Sequence, residues 1–381
     1  MTRLLFSLVV LAGILRAQNA PSSHTCQACH PAIYREYSRS MHARASIYGD
    51  PVHRAIWNLH PDRKAGRYSC GHCHTPSDPA LTQGKRLPKE NSIQRGEPIA
   101  CQSCHRISRV EHHTRADRNI YRPEARTFYA ADLRRKGSVL RYHETAFLGG
   151  LFGGISGSPF HTVDYGNELY YNGGVCLGCH SHKQNAKGFT ICDLGVERRP
   201  GDKSCIQCHM PKTDGPLANQ KPGTRHAYHG SNLHDPEGTK RMGRYIKLSY
   251  RPVENGFNVV LKNTAPHTLF SQPLRLGELR VSLYRNGEVI PLPSRKFFRR
   301  IGHDGHPAPP WLADSILKDS TIRAHESRTF HYKTPLEPGD LLTLTLGYHP
   351  VDPAMAKKIP GIPKEAIRFL PIKQRSWTIA P

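Results

Sequence analysis

The sequence predicts two unlike parts in one chain: short helices and loops wrapped around bound cofactors, then an all-β, sandwich-like part. Three observations predict this. The run C-x-x-C-H occurs five times between Cys26 and His209. Composition shifts once, near residue 240, from a stretch rich in Cys, His, Gly and Pro to one with no cysteine at all. Beyond the shift, short β-branched alternating runs surround an Asn286-Gly287 turn.

The five copies are Cys26-Gln-Ala-Cys29-His30, Cys70-Gly-His-Cys73-His74, Cys101-Gln-Ser-Cys104-His105, Cys176-Leu-Gly-Cys179-His180 and Cys205-Ile-Gln-Cys208-His209. This spacing is the attachment signature of c-type haem. Two thiols one helical turn apart add to the two vinyl groups of one porphyrin, and the next residue places an imidazole under the ring as an iron ligand. Eleven cysteines and twenty-four histidines scattered at random would give on the order of a few hundredths of one such motif. Paired C-x-x-C units also build zinc ribbons. A histidine after the second cysteine in every copy is not something a ribbon requires, so the expected cofactor is haem c, five covalently attached. The fold class is accordingly a multihaem cytochrome c followed by the β part.

Residues 1–20 carry one early cation, Arg3, then an apolar run from Leu4 to Leu15 that is too short to span a bilayer and ends in small residues. They read as a cleaved secretory signal, with an uncleaved anchor as the alternative. The expected location is periplasmic or otherwise exported, which suits thioethers made outside the cytoplasm. Ten of the eleven cysteines belong to the motifs, so that location need not imply a disulfide framework.

Residues 21–240 form the expected pentahaem part, with about 43 residues per haem. So little chain cannot keep five large cofactors apart, so they must lie near contact with one another, as in an electron wire. The best candidate for a longer helix is Pro123 to Phe147, ended by the glycine-rich Gly149 to Gly157. Residues 241–381 form the expected β part, with strands at Arg244–Tyr250, Gly256–Lys262, a hairpin Glu278–Leu292, Thr321–Tyr332 and Leu341–Tyr348, and a short helical insert near Trp311 to Leu317.

Each motif fills one axial position of its iron with His30, His74, His105, His180 or His209. The candidates for the second position are His42, His226, His143, His161 and His113, with His53, His60, His112, His229 and His267 also to be tested. Cys192 is the odd thiol. It stands before Cys208 at a wide spacing, but Cys205 offers the shorter loop, so it reads as a buried or free thiol, with a redox role as the alternative.

The first motif continues as Pro31-Ala32-Ile33-Tyr34-Arg35-Glu36-Tyr37-Ser38-Arg39-Ser40-Met41-His42-Ala43. This resembles the opening of the multihaem cytochrome c-554 family, electron carriers related to hydroxylamine oxidoreductase. Cys208-His209-Met210-Pro211 followed by Arg225-His226-Ala227-Tyr228-His229-Gly230 is similar to the later part of such proteins. There a histidine after the last motif serves as a distal ligand, and His226 is the matching position. Val260 to Thr268 resembles the segment that opens the β domain in relatives, with Pro266 in place of a glycine, which leaves the role of His267 open. No C-x-x-C-Lys occurs, so the lysine-ligated catalytic haem of pentahaem nitrite reductases is absent.

The formal charge is +24, and the haem propionates reduce it without reversing it. No nucleic-acid motif accompanies this charge, so the expected partners are redox proteins, acidic ones among them, with no nucleic acid and no membrane span after signal cleavage. Peripheral association with a membrane surface and the oligomeric state stay open. Two functions remain. One is an exported cytochrome passing electrons along its haems. The other is an oxidoreductase acting on a small nitrogen or sulfur compound at one five-coordinate haem, its catalytic residues unassigned.

Overall fold

The computed structural model describes residues 22–78, 96–147, 152–219, 225–234 and 236–381. The expected signal segment and the Lys221-Pro222-Gly223 turn lie outside the described residues.

From Ile246 the chain forms seven long strands, β1 (Ile246–Val253), β2 (Gly256–Asn263), β3 (Leu276–Arg285), β4 (Glu288–Phe297), β5 (Ser327–Tyr332), β6 (Leu341–His349) and β7 (Leu370–Thr378). They pair antiparallel in two sheets, β1-β2-β5 and β4-β3-β6-β7. Alternating residues of both sheets, among them Val259 and Leu261 on β2, Leu279 and Leu283 on β3 and Leu342, Leu344 and Leu346 on β6, are fully buried in one cluster. Two inner faces meeting over such a cluster make a sandwich. The β3–β4 hairpin turns at Asn286 and Gly287, with φ of 51° and 87°, the left-handed pair that a two-residue hairpin needs.

The strand expectations fall on β1, β2, β3–β4, β5 and β6. The strand near the end is shorter at its start than expected: Ile322 makes only an isolated bridge to Leu269 before β5 begins. The helical insert does not form. Ser315–Asp319 is instead a strand pairing with Arg299–His303 in a small three-stranded sheet. The sequence pattern did not single out β7, which closes the four-stranded sheet.

Upstream, the described helices are short, the longest being Pro31–Arg39 and Pro51–Leu59. The expected helix over Pro123 to Phe147 is absent. That stretch holds the strands Thr127–Tyr129, Val139–Leu140 and His143–Phe147 and one turn of 3-10 helix. Its strands carry Thr127, Phe128, Tyr129, Val139, Thr145 and Phe147, and Gly137 interrupts it at φ 82°. Of the glycine run, Gly149 and Gly150 lie outside the described residues, while Gly153 and Gly154 pair with Ala146 and Thr145 in a two-stranded hairpin.

The two parts are bonded to each other. Asn185 Nδ2 donates to the carbonyls of Pro310 (2.9 Å) and Ala313 (2.6 Å), Arg299 donates to Thr190 O at 3.0 Å, and the Tyr348 hydroxyl donates to Leu233 O. No helix among the described residues is long and apolar enough to cross a membrane.

Candidate haem-binding site

Each motif sits on a single helical turn or beside one: Gly71–His74, Cys101–His105, Leu177–His180 and Cys205–His209, with Ser23–Gln27 leading into His30. The turn at Cys205 is opened by a capping box, Ser204 Oγ accepting from Gln207 N while the Gln207 side chain accepts from Ser204 N. Such turns put each cysteine pair and its histidine on one side of the backbone.

The motifs cluster. Cys26 lies within hydrogen-bond reach of Cys101, Cys73 of Cys179, and Cys176 of Cys205. Cys104 lies near both Cys176 and Cys179. Gly173, at φ 77°, lets this happen, because a side chain there would stand 2.9 Å from the Cys205 backbone nitrogen. The fourth motif therefore neighbours the second, third and fifth, and the third neighbours the first.

Four motif histidines face a second histidine. His30 faces His161 with ring centroids 6.0 Å apart, His42 faces His180 at 6.1 Å, His105 faces His229 at 6.2 Å and His209 faces His267 at 6.2 Å. An imidazole nitrogen binds a first-row metal at about 2.0–2.1 Å, so two rings on opposite sides of one metal have centroids about 6 Å apart. All four pairs fit a haem iron between them.

The fifth does not. His53 lies 4.1 Å from His74, centroid to centroid, too close to admit a metal. The Nδ1 atoms of both rings reach the same acceptor, the Ala45 carbonyl, at 3.0 and 2.9 Å. His53 thus stands beside His74 rather than across from it. Among the described residues no histidine ring faces His74 at the spacing of the other four pairs.

Several ring nitrogens are tied to carbonyls. His30 Nδ1 reaches Leu217 O (2.6 Å), His105 Nδ1 reaches Tyr129 O (2.8 Å), His229 Nδ1 reaches Ala227 O (2.6 Å) and His267 Nδ1 reaches Thr268 O (3.0 Å). Donation at Nδ1 leaves the Nε2 lone pair for a metal and fixes the ring plane. Burial keeps the imidazoles of His105, His229 and His267 neutral, the ligating form. It lowers His229 to about 3, helped by His105. It lowers His180 to about 4, helped by His42 and His209, and His209 to about 4, helped by His267.

The β part delivers one of these rings. The loop after β2 docks through Thr268 N to Leu194 O and Glu197 N to Pro266 O, both 2.9 Å, and Asn263 Nδ2 holds His267 O at 2.9 Å. Pro266 takes part in this docking through its carbonyl.

The other expected ligands stand elsewhere. His226 is buried with Nε2 3.1 Å from Glu36 Oε1 and Nδ1 3.3 Å from Gly215 O. Both nitrogens face oxygens of the chain, which leaves neither for a metal. The same Glu36 accepts from His229 N at 2.9 Å, so His226 props the carboxylate that positions His229. His143 lies in the exposed hairpin opposite Ser156, and His113 sits 3.7 Å from Glu111; neither faces a motif histidine. His112 pairs with Asp117, 2.7 Å away, and His60 stacks on Trp57.

Buried polar atoms left over suit a bound acid. Arg106 and Arg299 each bury an Nε with no hydrogen-bond partner among the described residues; donors of this kind are what porphyrin propionates accept from.

A set of C-x-x-C-H turns in mutual contact, with paired imidazoles at metal-bridging distance, defines a multihaem c-type cytochrome. Residues 25–106, which hold the first three motifs, match the family model described as cytochrome c554 and c-prime. The whole fold is similar to that of a penta-heme cytochrome c552 from Thermochromatium tepidum: 22% identity, 95% of this chain and 99% of that one covered, TM-score 0.68. No curated protein sequence matches the chain.

Proposed function

We propose that the chain is an exported pentahaem c-type cytochrome that moves electrons through five haem c groups, four of them closed by two histidines and one left open. The cysteine pairs of the five motifs hold the rings. The iron ligands are His30 with His161, His180 with His42, His105 with His229, His209 with His267, and His74 alone. The observation that carries this reading is the set of four ring pairs at 6.0–6.2 Å against the one at 4.1 Å.

Closed, six-coordinate haems exchange electrons without binding substrate, which is the chemistry of a carrier. The contacts among motifs support a wiring in which the first haem neighbours the third, the third the fourth, and the fourth both the second and the fifth. The haem held at the fourth motif is the branch point. Redox proteins are the partners, acidic ones favoured by the +24 charge of the chain.

One observation favours a second activity. With His53 beside His74 rather than across from it, that iron would keep a position for a small ligand, as an oxidoreductase acting on a nitrogen or sulfur compound requires. Purified holoprotein tests the main reading by intact mass and by electron exchange. Five haem increments on the signal-cleaved chain, with all five haems reduced through one added donor, are expected. Three or fewer increments, or a haem that no donor reaches, would overturn it.

A further inference from the structure

The side chain beside His74 is the inner end of a row of aromatic rings that runs to the surface. His53, 4.1 Å from His74, stacks on Tyr68 at 6.0 Å. Tyr68 meets Trp57 edge-on at 5.0 Å, Trp57 stacks on His60 at 5.6 Å, and His60 meets Trp311 edge-on at 4.9 Å. Tyr68 and Trp57 are buried, 0% and 4% exposed. Trp311 is half-buried and lines a surface pocket of about 490 Å³ with His60, Arg63 and Lys64. The row joins the only open iron of the proposed set to solvent, and it includes a tyrosine and two tryptophans, the side chains that give up an electron most readily.

We propose that this row is an escape path that carries oxidising equivalents from the His74 site to Trp311, protecting the open haem from peroxide. The inference rests on the reading of that haem as open. Hydrogen peroxide is the oxidant, taking up two electrons and two protons and leaving as two waters. The electron leaves the buried Tyr68–Trp57 pair, whose rings meet edge-on at 5.0 Å, and the deficit crosses the His60 ring to Trp311. After two such passages Trp311 has lost two electrons and, with water entering from the pocket, two protons. It ends as hydroxytryptophan, so the net change is one indole C–H plus peroxide giving one C–OH plus water.

Packing alone explains a buried Trp–Tyr contact, so the test must read electron flow. Ferric holoprotein is treated with stoichiometric hydrogen peroxide and its peptides are mapped by mass spectrometry. Carbon monoxide binding by the reduced protein, measured separately, reports whether one haem is open. The expected result is hydroxylation at Trp311 several-fold above that at Trp377, which lies on β7 in the sandwich. Trp57→Phe should lower it several-fold while haem bleaching rises. Trp311→Phe, a change at a half-exposed site that keeps the fold, should raise bleaching and shift oxidation inward to Trp57. Oxidation at Trp311 no greater than at Trp377, or unchanged in Trp57→Phe, would overturn the path in a protein that still binds carbon monoxide. A parent that binds none would overturn the open haem itself.

Discussion

From Ile246 onward seventeen buried side chains, all aliphatic or aromatic, fill one continuous cluster between two sheets. The described residues before it assemble a buried cluster of three, Ile47, Trp57 and Tyr68. The first arrangement closes on itself. The second leaves its remaining interior to groups that the chain holds through cysteines and histidines, so its folding must be tied to cofactor attachment in a way that the sandwich is not. The two still share a seam, because His267 belongs to the sandwich side and faces His209 at 6.2 Å.

The largest break in this comparison comes from withholding haem. Expressed where no attachment machinery exists, the full chain should show the circular dichroism and protease resistance of the sandwich alone, with the part before about residue 240 digested. A fully protected apo chain would show that the upstream side chains suffice. Next in size is Leu344→Ala. Leu344 is 0% exposed in the sandwich cluster, so its loss should cost about 2–5 kcal/mol. Denaturant unfolding followed by tryptophan fluorescence should register that cost, while the haem absorption of the folded protein stays as in the parent.

His229→Ala and His226→Ala sharpen the comparison inside the haem part. His229→Ala should turn one low-spin haem high-spin, because it removes the ring facing His105. His226→Ala should leave the spin states unchanged and lower stability by roughly 1–3 kcal/mol, the cost of leaving the Glu36 carboxylate without its buried partner. Equal spectra for the two variants would count against the assignment of His229.

The smallest effect is a graded one with pH. Burial, helped by His74, holds His53, which the account leaves off the iron, at about 3, below the value of about 6.5 for a solvated imidazole. The unfolded chain therefore binds this proton first. Its contribution to stability is complete above about pH 6.5 and is lost as pH falls from there toward 3. Unfolding followed at haem wavelengths should weaken over that range, while a melt of residues 246–381 alone should change less.

Much of this was legible in the sequence because its signals are local. A C-x-x-C-H run carries its whole meaning within five residues. Asn286-Gly287 between alternating apolar runs specifies a hairpin without reference to the rest of the chain. The distal histidines are different, since what makes a ligand is the residue opposite. His42 and His161 were expected and do face motif rings, whereas His226 was preferred to His229 three residues away. The difference between those two is Glu36, 190 positions upstream of His226 and 193 upstream of His229, which occupies one ring and leaves the other free. His53 was a candidate for an axial position, and only the shared Ala45 carbonyl shows that it lies on the wrong side. The lost helix at Pro123 to Phe147 has a similar cause, its residues pairing across to Thr162–Asp164 and within a hairpin.

The central claim is that four haems are closed by paired histidines and the one at His74 is open. Low-temperature electron paramagnetic resonance of the fully oxidised holoprotein tests it most directly. The account predicts one high-spin ferric haem beside four low-spin ones, with the high-spin signal alone responding to added nitrite or cyanide. Five low-spin haems, or a high-spin signal that survives replacement of His74 and instead vanishes with a change at another motif, would contradict it.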